Sequence, residues 1–240
     1  MTILYIFLLC IVASFIQRTT GFGFGIFIMT MLPMLLPSYG EATTLSGLLA
    51  MTTSLIVSFQ MRKYIVLKRI LPMMIACIVV STASIFTLAK TDDVVLKRIL
   101  GIVLILTSIY FAFFSEKIHL KQNLPTQLCA GTLSGLMGGF FAMQGPPAVL
   151  YLLTAEKDKL HYMAMIQFYF LVGNLIMTFV RAKNGFLTIS VGKGYLYGIG
   201  GVAIGGIIGE WVFNKIPIKT FRYIVYTYIG ISGLIILLTA

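Results

Sequence analysis

The sequence predicts an all-α polytopic membrane protein. It reads as one membrane domain over residues 1–240, made of two inverted repeats, each a broken, re-entrant helix hairpin followed by three transmembrane helices. Three observations predict this. The chain is 59% hydrophobic and 10% charged, against about 25% charged in soluble domains. Charge-free stretches at 19–40, 42–61, 70–89, 99–115, 162–180 and 223–240 each approach the ~20 residues that cross a hydrocarbon core. Two segments, Met1–Gly40 and Gln122–Ala155, are too long for one crossing and carry helix-breaking residues inside them.

The first long segment holds a single charge, Arg18, within QRTTGFGFG (17–25). Its first 17 residues are apolar enough for a signal-peptide core, but no basic stretch precedes them and no small-residue cleavage pattern follows, so they read as structure. The second holds 34 uncharged residues, about 51 Å as a helix at ~1.5 Å per residue. It contains Gly145-Pro146-Pro147. Proline removes a backbone donor and pushes the preceding residue out of the helical region, so a break is expected near 144–147.

The loops test how these segments cross. If each crosses once, the two sides hold nine and eight Lys/Arg, with no bias. If each returns to its own side, loops 62–69, 117–121, 157–159 and 215–222 share one side, with eleven basic residues against six. The positive-inside rule selects the second arrangement and puts that side in the cytoplasm.

A hairpin plus three spans makes an odd number of crossings, so the second repeat (120–240) is inverted relative to the first (1–115). TTGFGFG (19–25) lies opposite MQGPPAV (143–149), and FQMRKY (59–64) opposite FVRAKN (179–184). Inverted repeats whose broken helices meet near mid-membrane are a transporter signature.

Irregular backbone at membrane depth is tolerated only where protein buries it or where it lines a watery cavity. The two breaks are therefore the candidate site. Glycine allows a sharp turn and close approach of a ligand, and the restarting helix turns free N–H groups toward an anion. The candidate substrate-binding residues are Gln17, Arg18, Thr19, Thr20, Gly21 and Gly23 from the first break and Gln144, Gly145 and Pro146 from the second. Gln167 and Asn174, on one face of the 162–180 helix, complete the set, although they serve equally to bond a neighbouring helix. The threonines offer hydroxyls and Arg18 a fork of donors suited to oxyanions. With no acidic residue near it in sequence, Arg18 is expected to meet a mobile anion. The alternative reading makes 2–17 and 19–36 two short spans, with Arg18 snorkelling from a turn.

TTGFGFG with its apolar run to Pro33, Glu41 beyond it, and GTLSGLMGGFFAMQGPPAVLYLL (131–153) resemble the TauE/SafE sulfite-exporter family, also called toluene-sulfonate-uptake permeases. The resemblance spans nearly the whole chain. It implies a permease carrying sulfite, organosulfonates or related small sulfur-containing anions across the bacterial cytoplasmic membrane, with proton coupling. Arg18 and Phe140-Phe141-Ala142 stand where the family often has smaller residues or glycines.

Other features point elsewhere than to a site. Glycines 194, 198, 201, 205 and 209 recur at the spacing that brings helices together. Glu210 and Trp211 read as interfacial anchors, and Glu41 as part of a helix start. His119 and His161 fall in loops. Cys10, Cys77 and Cys129 are far apart, with no metal pattern. No cofactor motif, nucleophile–base pair or P-loop occurs, so an enzyme is not expected. The net charge of +11 sits in short loops and sets orientation rather than binding nucleic acid. Membrane lipid and the anion are the expected partners, oligomerisation is left open, and an anion channel or a non-transporting assembly factor is the competing reading.

Overall fold

The computed structural model describes residues 2–113, 120–156, 158–213, 231 and 234–238. Those residues are mostly helical, and none of them forms a strand. The expected span at 223–240 and loop 215–222 lie almost wholly outside the described residues, as does His119. The first hairpin is α1 (Thr2–Thr20), α2 (Phe24–Ile28) and α3 (Leu32–Leu35), followed by α4 (Tyr39–Gln60), α5 (Leu71–Leu88) and α6 (Asp93–Phe113). The second is α7 (Leu124–Phe141) and α8 (Gly145–Ala155), followed by α9 (Lys159–Lys183) and α10 (Ile189–Phe213). Five of these helices, α1, α4, α5, α9 and α10, are long and apolar enough to span a membrane. The chain is a multi-pass membrane protein.

The charge-free stretch 19–40 is not one span. Gly21 and Gly23, with φ of 87° and 99°, end α1, and the return to α4 is made of two short helices. The second break falls at 142–144 rather than 144–147. Ala142 takes the left-handed conformation at φ 55°, and the prolines open α8 instead of interrupting the chain. That placement follows from proline chemistry: a first-turn N–H has no helical acceptor, so its loss costs nothing there.

Two helix pairs frame the molecule. In one, Cys10 lies beside Gly198 and Arg18 beside Gly209, so α1 and α10 run parallel. In the other, Met73 lies beside Gly131, Cys77 beside Gly135 and Ser81 beside Gly139, so α5 and α7 also run parallel. Between them α4 and α9 pack antiparallel, with Gly47 against Thr178 and Ser54 against Gln167. About two thirds of the spanning part of α4 and α9 is buried, against one third for α5 and α10, which marks the first two as the centre. The outer helices present Ile75, Val79, Leu196 and Ile207 outward, an apolar surface that suits lipid.

The connections gather at two ends. At one, Arg69 pairs with Glu156 at 2.9 Å, the Gln122 amide donates to the Thr154 carbonyl at 2.9 Å, and Tyr64 sits edge-on to His161 at 5.4 Å. At the other, the Tyr39 N–H donates to Asp93 Oδ2 at 2.8 Å and Phe186 covers Gly40. Loops 62–69, 120–123 and 156–158 thus share an end, away from 36–39, 89–92 and 184–188. The Asp158 carboxyl in this first group caps α9; the His161 backbone N–H and ring hold it below the usual carboxylate range.

The glycines expected to pack do so. A Cβ on Gly201 or Gly205 would enter the Phe7 or Ile11 carbonyl of α1. These carbonyls belong to a helix backbone that cannot step aside, so Gly205→Ala should cost about 3 kcal/mol, the upper end of overpacking. Gly192, with nothing within 4 Å of its would-be Cβ, should accept alanine with a gain of up to about 1 kcal/mol from helix propensity. Thermal melting of the purified variants in detergent checks both.

Candidate functional site

The two breaks meet about midway along α9. A Cβ on Gly25 would enter the Ala142 carbonyl, and Gly145 lies against Phe22, so glycine is required for the first chain to cross the second. A cavity of about 30 Å³ lies at the crossing, room for roughly two waters. Of the candidate residues, Gln17, Gly23, Gln144, Gly145 and Asn174 line it, with Phe24 and Phe170 as aromatic walls.

Each break is held by a side-chain network from the central helices. On the first, Gln167 Nε2 donates to the Gly21 carbonyl at 2.7 Å. Its Oε1 accepts from Gln17 Nε2 at 2.9 Å and from Ser54 Oγ at 3.0 Å. Gln167 is therefore a clamp behind the cavity wall rather than part of the lining. On the second, Ser134 Oγ donates to the Gln144 carbonyl and accepts from Tyr169 at 2.8 Å. The Gln144 amide donates to the Phe170 carbonyl at 3.3 Å. It fits only because α9 has no side chain at Gly173, where a Cβ would meet Gln144 Oε1.

Four of the candidate residues go elsewhere. Thr19 Oγ1 donates back to the Phe15 carbonyl at 2.9 Å, and Thr20 Oγ1 to the Ile16 and Phe22 carbonyls at 2.9 and 2.8 Å. Their hydroxyl protons finish α1 rather than face the cavity. Pro146 turns to an apolar crevice of about 380 Å³ with α6 and α7. Arg18 points to a separate hollow of about 240 Å³ with Ser14, Thr53 and Gln60. There its Nη2 pairs with Glu210 Oε1 at 2.9 Å and donates to Gln60 Oε1 at 3.0 Å. Glu210 thus fills the acidic partner's role that the sequence neighbourhood left open, instead of acting only as an interfacial anchor. Its side chain is 54% exposed, so the pair is worth no more than about 1 kcal/mol.

Residues that sequence reasoning did not single out are Ser54, Ser134, Tyr169, Gly173 and Arg181. Gly173 alone carried a signal, a glycine beside Asn174 in mid-helix. Arg181 is fully buried on α9 and donates through Nη2 to the Gly138 and Gly139 carbonyls at 2.8 and 3.0 Å. Among the described residues no group of His, Cys, Asp and Glu could hold a metal ion.

A family model described as Sulfite exporter TauE/SafE matches residues 6–236. The chain is similar to a "Probable membrane transporter protein" of Methanocaldococcus jannaschii, 28% identical over 163 residues; the match covers 61% of this chain and 59% of that one. The chain thus spans about three fifths of that relative's length. No solved structure matches.

Gly173→Ala should push the Gln144 amide off the Phe170 carbonyl while leaving the helices folded. A buried polar group left unmade costs about 1–3 kcal/mol, so substrate flux in proteoliposomes should fall roughly tenfold at unchanged reconstitution yield. A double-mutant cycle of Arg18→Gln with Glu210→Gln, read by melting temperature, should return a coupling of about 0.5–1 kcal/mol.

Proposed function

The chain belongs to the sulfite exporter TauE/SafE family, and on that premise we propose that it is a secondary transporter moving sulfite, organosulfonates or related small sulfur oxyanions by alternating access. The observation that carries this is the crossing of two buried helix breaks at a cavity that Gln17, Gln144 and Asn174 help to line, the arrangement in which transporters bind substrate. The binding set is Gln17, Gly21, Gly23, Gln144, Gly145 and Asn174, with Gln167 holding the first break in shape. Helix α2, five residues long, aligns few peptide dipoles, so backbone N–H groups and glutamine amides supply most of the attraction. Arg18 stands one step away, where an incoming anion exchanges with the half-exposed Glu210 carboxylate.

The two halves, 1–115 and 120–240, are inverted repeats in this reading. Support comes from the packing: exchanging the halves turns the α1–α10 pair into α7–α5 and leaves α4 against α9. The glycine-tightened pairs are the rigid bodies, and they rock about the central α4 and α9. Glu41, buried with Oε2 unpartnered, is the carboxylate placed to carry a coupling proton. Loops 62–69, 120–123 and 156–158 face the cytoplasm.

Sulfite uptake into proteoliposomes should exceed equilibrium when a pH gradient is imposed. Flux that never runs uphill under any proton gradient would favour the channel reading. Glu41→Gln should keep downhill exchange but lose the response to the gradient. For orientation, a membrane-impermeant thiol reagent applied from outside should label Lys90→Cys and spare Lys68→Cys; the reverse pattern overturns the assigned sidedness.

A further inference from the structure

Arg181 is the largest fully buried side chain among the described residues. It is a guanidinium with no exposed surface, in the central helix of a membrane protein, and no carboxylate lies within ion-pair distance among the described residues. Its Nη2 caps the last turn of α7 through the Gly138 and Gly139 carbonyls. That accounts for one of its three nitrogens. The other two, Nε and Nη1, have no acceptor. Such unspent donors are rare in native interiors and call for an explanation.

The surroundings supply hydroxyls rather than carboxylates. Thr178, one turn before Arg181 on α9, has a buried hydroxyl without a partner, and so does Tyr39 at the start of α4. Arg181 Nη1 and Thr178 Oγ1 lie 3.4 and 3.3 Å from the point a Gly47 Cβ would occupy, so both face the same spot on α4, bare because Gly47 has no side chain. Tyr39 is close enough to feel the arginine's charge, and Asp93 accepts from the Tyr39 backbone N–H. A buried cation beside two unpartnered hydroxyls, with no carboxylate within ion-pair distance among the described residues, has the chemistry of an anion site. Asn174, which lines the break cavity, lies two turns from Arg181 on the same face, and its Oδ1 is 4.0 Å from the same Gly47 point.

We propose that Arg181, Thr178 and Tyr39 form a second anion-binding station, on the α4–α9 seam between the break cavity and the end that holds loops 36–39 and 184–188. Its ligand is a small oxyanion, held by a charge-assisted hydrogen bond from Arg181 Nη1 with the two hydroxyls completing the shell. The station faces the end opposite Arg18. There the arginine already has Glu210 as counter-ion; here the travelling anion is the counter-ion.

The inference borrows from the transport reading only the choice of probe, and its test is equilibrium binding. Arg181→Lys removes the guanidinium donors but also weakens the α7 cap, so the deciding variants are Thr178→Val and Tyr39→Phe, each deleting only an unpartnered hydroxyl. Purified full-length protein in detergent is titrated with sulfite, sulfate and acetate by thermal shift. Each variant should match or exceed the wild-type melting temperature without anion, yet bind the effective anion roughly tenfold more weakly, since a hydrogen bond to a charged group is lost. Wild-type affinity in both variants, with affinity lost in Gln167→Ala, would confine the anion to the break cavity and overturn the station. A wild-type protein that none of the three anions stabilises would overturn it too. Binding of sulfate or acetate that depends on Thr178, without binding of sulfite, would sustain the station and remove the sulfite reading instead.

Discussion

The structure depends on the mutual burial of two stretches of backbone that are not helical. In the membrane interior an unpaired peptide group costs several kcal/mol, so broken helices persist only when protein satisfies what the break exposes. Here each break satisfies part of the other's requirement by shape. Gly25 lets the first chain pass over the Ala142 carbonyl, and the central helices close the remainder through glutamine. Gln167 holds the Gly21 carbonyl and Gln144 reaches the Phe170 carbonyl. Glutamine suits this task because it donates and accepts at once and carries no net charge to desolvate.

Everything outside the crossing serves to keep the four long arms close enough for it to form. Glycine faces on α10 and α7 let α1 and α5 approach to backbone contact. In lipid, where no hydrophobic force drives helices together, such close van der Waals packing is the main source of cohesion. The tight pairs are also why function can sit in the seam between them. The α4–α9 interface carries the polar groups Ser54, Gln167, Asn174, Thr178 and Arg181, all buried.

Much of this was legible in the sequence, and the limits have physical causes. The hairpins showed because 34 uncharged residues exceed one bilayer crossing and because Gly145-Pro146-Pro147 cannot continue a helix. The glycine stripe of α10 showed because its period matches a helix face. What stayed hidden depends on contacts between distant residues. Arg18 looked unpaired because Glu210 is remote in sequence, though the fold puts them 2.9 Å apart. Thr19 and Thr20 have the right chemistry for an anion, but a hydroxyl near a helix end can turn back to its own carbonyls, and there it does. Arg181 looked like a loop-flanking cation because its burial comes from α4 and α7, not from its neighbours in the chain.

The parallel pairing of α1 with α10 also has a meaning for assembly. The α5–α7 pair joins Met73 to Gly131, whereas Ile11 must wait for Gly205. During synthesis the second break can dock on its frame while the first still lacks half of its own. Until α10 arrives, the α1 hairpin sits in the bilayer with Ser14 and Arg18 deprived of Val202 and Glu210, the groups that finally satisfy them. Biogenesis is therefore a long-range closure, in which the earliest helix is locked by one of the latest, and a ribosome paused before α10 would leave a half-built protein whose Ser14 and Arg18 lack their final partners.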